Sequence, residues 1–241
     1  MYMANPAINV IKKAQSRYYA GEVATVQGTI TKALALIGVT ILSAVGANVL
    51  IPLNSAAFTV MTISCIGAFI LAIVTCFKPQ LAEYTAPGYA VFEGVALGLI
   101  STIFERYYHG ITATAVAATF VVAALMLVLW KTHVIVVTNK LRSMIVGLTM
   151  GVMALYIVDL IASFFSFHLL PRAGLIGIGI SVVIVAIAAF NLVLDFDNIE
   201  QSVYHGLPKY MEYFNAFALL MTLVWLYVEI LRLLQMINDR R

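Results

Sequence analysis

The sequence predicts an all-α integral membrane protein with seven transmembrane helices, and three observations carry that reading. Of 241 residues, 63% are hydrophobic and only 10% are charged, with a mean hydropathy of +1.00. A water-exposed surface cannot be assembled from such a composition. The apolar residues gather in seven runs, each close to the roughly 20 residues that cross a hydrocarbon core as helix. Within a run they are continuous instead of alternating, which excludes the strands of a membrane barrel.

Residues 1–28 are a polar stretch holding Lys12, Lys13, Arg17 and Glu22. They lack the apolar core of a secretory signal and are expected as a cytoplasmic N-terminal segment beginning near Met1, with residues 29–241 forming the seven-helix domain. The first run is 30–51. The second, 56–77, holds both cysteines, Cys65 and Cys76, too far apart on one helix to bridge. The third, 86–104, carries Glu93 and the small-residue pair Gly94 and Gly98; the fourth is 111–130. The fifth, 143–167, carries Gly147, Gly151 and Asp159. Small residues four apart let another backbone approach closely, here in packing within a monomer or at most in a weak homo-oligomer. The sixth run, 174–196, is unbroken until Asp195; Asp197 and Glu200 are assigned to a solvated loop. The seventh, 214–236, carries Glu229, expected to pair with Arg232, and is preceded by an interfacial Glu212 beside Lys209. Loops as short as 52–55 and 168–173 are expected to make sequence neighbours pack as antiparallel hairpins.

Charge supplies the topology. Lys12, Lys13, Arg17, Lys32, Lys78, Lys131, Lys140, Arg142 and Lys209 fall on one side, and Arg106, Arg172, Arg232, Arg240 and Arg241 on the other. The positive-inside bias then puts the N-terminus in the cytoplasm and the C-terminus outside. The basic residues form no dense stripe, so nucleic acid is not an expected partner. The lipid bilayer is.

Carboxylates at bilayer depth are the chemical inventory, because holding one there costs on the order of 2.5 to 3.5 kcal/mol even on the lenient insertion scale. Glu93 and Asp195 belong to a cytoplasmic tier, and Asp159 and Glu229 to an outer tier, together resembling the two ends of a cation path. An enzyme is not expected. His109, His133, His168 and His205 are scattered, and no aspartate has the context of an intramembrane protease.

Residues 191–200 (NLVLDFDNIE), 208–212 (PKYME), 223–232 (LVWLYVEILR) and 86–98 (APGYAVFEGVALG) resemble the signature of the Bax inhibitor-1 family, closest to its bacterial YccA-like branch. The resemblance implies a last helix central to two helix triplets, and a pH-sensitive calcium leak in a bacterial inner membrane. It also implies a proton sensor made of two aspartates. The first matches Asp195; the second falls on Thr222, a hydroxyl that can bond Asp195 but cannot share its titration. Glu93 is then the remaining carboxylate expected to partner Asp195, and these two are the expected contacts for calcium as transported ion, no cofactor being expected. The competing expectation is a non-conducting regulator that restrains a membrane protease or stress-response complex through its N-terminal segment.

Overall fold

The structure, a computed structural model, describes residues 22–165 and 174–240. Lys12, Lys13 and Arg17 of the N-terminal segment, together with His168, Arg172 and Arg241, lie outside the described residues. Seven long helices are present among the described residues: α1 Val26–Leu50, α2 Ser55–Phe77, α3 Ala82–Tyr107, α4 Ile111–Lys131, α5 Asn139–Ser163, α6 Gly174–Tyr204 and α7 Tyr210–Asn238. Each is long and apolar enough to cross a membrane. The starts of four of them are sealed by side chains that accept free backbone N–H groups. Thr25, Asn54 and Thr138 cap α1, α2 and α5, and the Glu105 carboxylate accepts from Gly110 N at 2.5 Å and Thr112 N at 3.2 Å at the start of α4.

Two triplets surround the last helix. In the first, α1 and α2 pack on α3; in the second, α4 and α5 pack on α6; α7 packs on α1, α3, α4 and α6. This is the arrangement the resemblance implies. Burial explains the placement of α7, since Phe217, Leu220, Leu226, Ile230 and Leu231 bury different sides of it, whereas α5 buries only Ile145 and Val152.

Hairpin packing of sequence neighbours is not general. Among the described residues, α1 and α2 share no packed face, nor do α4 and α5. Small residues on α3 recruit α1 instead. A Cβ at Gly94 would strike the Thr40 carbonyl, and one at Gly98 the Ala44 backbone, so the two helices meet at a distance only glycine permits. Gly147 and Gly151 meet nothing within 4 Å and face outward from α5.

Two further expectations are corrected. Helix α6 continues to Tyr204, because Ile199 and Ser202 are buried and Asn215 Nδ2 on α7 donates to Ser202 Oγ at 2.9 Å. Asp197 is therefore helical, ion-paired to Arg142, which also donates to Asn198 Oδ1 at 2.7 Å; Glu200 is exposed on the same helix. Glu212, in the first turn of α7, is partnered not by Lys209 but by Lys32, and is only 2% exposed: it also accepts from Thr25 N at 2.8 Å and Thr25 Oγ1 at 2.9 Å. Gly28 leaves room for that carboxylate, while Lys209 pairs with Glu22. Ala24 N–H to Leu207 O (2.8 Å) and Lys209 N–H to Glu22 O (3.0 Å) complete the stitching of the start of α1 to the α6–α7 turn.

Gly98→Leu is expected to cost about 1–3 kcal/mol by overpacking and to lower the melting temperature of the detergent-purified protein, whereas Gly147→Leu leaves it within about 0.5 kcal/mol. Glu212→Ala is expected to cost about 2 kcal/mol, below the roughly 3–5 kcal/mol of breaking a fully buried pair, since Lys32 keeps 18% exposure. Equilibrium unfolding measures both.

Candidate functional site

Hydrocarbon offers no hydrogen bonds, so polar side chains on these helices mostly turn back on their own backbone. Thr40, Thr75, Ser101 and Thr119 each donate to the carbonyl four residues earlier. One face of α7 departs from that economy. Thr222, Trp225 and Glu229 stand at i, i+3 and i+7, a spacing that aligns them along a single stripe about 10 Å long.

At the lower end of the stripe the Thr222 hydroxyl lies within hydrogen-bonding reach of the Asp195 carboxyl on α6. Asp195 Oδ2 is buried and has no hydrogen-bond partner. Asp195 stands nine residues, about 13 Å along the helix axis, before the end of α6, which continues well past residue 196. One turn away, Asn191 Nδ2 donates to Thr149 Oγ1 on α5 at 2.7 Å and to Ile187 O at 2.9 Å. Arg142 on Asp197 closes the side from which α7 starts.

At the upper end, Glu229 is 2% exposed. Tyr156 on α5 donates its hydroxyl to Glu229 Oε1, while Oε2 has no partner. Trp225 holds its indole N–H near that carboxyl without closing a hydrogen bond. Arg232 sits 5.9 Å over the Tyr156 ring and acts on Glu229 from a distance, so the expected Glu229–Arg232 contact pair gives way to Tyr156. Asp159 lies one turn beyond Tyr156 on α5, half-buried.

Asp195 Oδ2, Trp225 Nε1 and Glu229 Oε2 are the buried side-chain atoms without a hydrogen bond among the described residues, and all three lie along this one seam between α7, α6 and α5. Each costs about 1–3 kcal/mol when left unmade. Such concentration in one place marks a site whose polar groups serve something other than stability.

The structure does not bring Glu93 to Asp195. Glu93 acts on Cys65 of α2 and on Tyr89, which packs edge-on against Phe217 at 5.0 Å. Helix α7 stands between α3 and α6, so the depth the two acids share places them in different triplets. They cannot ligate one ion together, and among the described residues no three His, Cys, Asp or Glu side chains gather as a metal site. A cation on the seam would meet one carboxylate at a time. Sequence reasoning missed Trp225 and Tyr156 as members of the site. The signal available for Trp225 was the i, i+3, i+7 stripe on the last helix, whereas Tyr156 reaches Glu229 only through tertiary packing.

The chain matches the family described as Bax inhibitor 1 like over residues 5–239. No curated protein and no solved structure matches it.

Asp195→Leu is expected to raise the unfolding free energy by about 1 kcal/mol, because it removes an orphaned oxygen and frees Thr222 to bond its own backbone. Tyr156→Phe acts oppositely, costing about 1–2 kcal/mol by stripping Glu229 of its donor. Thermal unfolding in detergent separates the two signs.

Proposed function

The chain belongs to the Bax inhibitor 1 like family, and on that premise we propose that it is a pH-modulated leak for cations, calcium among them, in a bacterial inner membrane with its N-terminus in the cytoplasm. The observation that carries this reading is the orphaned Oδ2 of Asp195, buried between α6 and α7 beside Thr222. An ionisable group kept inside a membrane bundle without full satisfaction is the usual mark of an ion or proton route.

In this reading the seam is the route. A hard cation exchanges hydration for oxygens taken in turn: Asp195 and Thr222 at the gate, then Glu229 and Asp159 toward the far side. Protonated, Asp195 presents a hydroxyl in place of a charge and the closed packing of α6 on α7 is favoured. Ionised, it attracts the cation and biases the interface toward opening. Tyr156 and Trp225 position Glu229 for the second station. Glu93 stands off this seam, and its role is to tune how α2 and α3 pack.

Calcium flux into proteoliposomes tests the gate. Asp195→Asn is expected to remove the pH-dependent part of the flux; flux unchanged at every pH would remove Asp195 from the gate. Thr222→Asp restores a carboxylate pair and is expected to steepen the pH dependence. Wild-type liposomes that leak no cation at any pH would favour the regulatory reading instead.

A further inference from the structure

On one side of the bundle, although α3 of the first triplet meets α4 of the second at their connecting turn, α1 and α4 share no packed face among the described residues. Between them runs a groove of about 290 Å³, close to the lower limit of about 300 Å³ for sites that hold small molecules. Its walls are Ile41 and Val45 of α1 and Val116 and Phe120 of α4, each roughly half exposed; Leu97, Leu220, Leu223 and Val224 form the floor. Thr40 and Thr119 also line it, but both donate to their own helix backbones.

Polarity is sorted along the groove. Helices α1, α3 and α7 run one way and α4 the other, yet all four place their remaining polar groups at the end near the α1–α2 turn. There Ser101 Oγ and Tyr227 OH share a hydrogen bond of 2.7 Å, and Thr112 Oγ1 donates to Ser101 O at 3.3 Å. Asn48, exposed and two residues from the end of α1, keeps an amide with no hydrogen bond among the described residues. Among the described residues, no charged side chain lines the groove.

Length identifies the occupant. From Ile37 to Asn48 is about 16 Å at 1.5 Å per residue, half of a hydrocarbon core of about 30 Å, which is the depth of one leaflet. Water cannot fill the apolar part, because a buried water needs two to four polar partners. A void there would forfeit the dispersion contacts of every lining atom. The groove is continuous with the lipid-facing surface through its exposed walls, so hydrocarbon reaches it sideways.

We infer that this groove binds one acyl chain of a phospholipid drawn from the leaflet on the side of the α1–α2 turn. The chain lies between α1 and α4, and its ester carbonyls meet the amide N–H donors of Asn48. With neutral donors alone at the mouth, selection is for the ester region and not for headgroup charge. The lipid acts as a spacer between α1 and α4.

The full chain in phosphatidylcholine liposomes, doped with a phosphatidylcholine bearing a diazirine in one acyl chain, tests this by photo-cross-linking and peptide mass spectrometry. A diazirine near the methyl end is expected on peptides containing residues 37–41 and 116–120, and one near the ester on those containing Asn48 and Thr112. Val116→Trp is expected to cut the groove label by about fivefold through steric exclusion, as is Val45→Trp on the opposite wall. Val121→Trp, on the 66% exposed face of α4 outside the groove, leaves the label unchanged. A phosphatidylglycerol probe gives the same pattern. Label spread evenly over the outer faces of α2 and α5, or groove label undiminished in both filled variants while their melting temperatures match the wild type, would overturn the assignment.

Discussion

Every polar atom placed in hydrocarbon must be satisfied by the protein itself, and the architecture follows from how this chain meets that demand. Threonines bond the backbone of their own helices, Asn191 reaches Thr149, Ser101 meets Tyr227, and Glu212 takes Lys32 and the start of α1. What is left unsatisfied lies along the stripe of α7 that faces α5 and α6. Only a helix enclosed by both triplets can hold such groups away from lipid, so the central position of α7 is a condition for the seam as well as for the core.

The two triplets differ in how firmly they are joined. Glycines let α1 sink onto α3, and the strap around Glu212 fixes the start of α1 to the start of α7. Helix α5 is the loosest element, with two buried residues and contact chiefly to α6. Thr149 and Tyr156 nevertheless lie on it, bonded to Asn191 and Glu229. Sparse burial marks an element able to shift at low cost. A small movement of α5 would therefore change both ends of the seam together while the first triplet stayed intact, which gives the proposed gate a moving part.

Seven helices were legible in the apolar runs because spans must be about 20 residues long and continuous. Asp195 was legible for the same reason, as a carboxylate interrupting a run. Helix ends were less so: residues 197–204 read as polar loop, yet they fold as helix because Ile199 and Ser202 find a face of α7 that only the tertiary arrangement provides. Pairing Glu93 with Asp195 failed because depth along the membrane normal says nothing about angle around the bundle. The same gap hid the burial of Glu212, whose partners Thr25 and Lys32 are remote in sequence.

Water access to the seam is the most direct test of its being the route. In a chain with Cys65 and Cys76 replaced by serine, Thr222→Cys can be challenged with a small, cationic, water-soluble thiol reagent, with Leu226→Cys as the buried comparison. The route described here predicts modification at residue 222 that quickens under the pH conditions that raise flux, slows when calcium is added, and is absent at residue 226. Residue 222 unreactive at every pH, in proteoliposomes that still pass calcium, would place the ion path elsewhere.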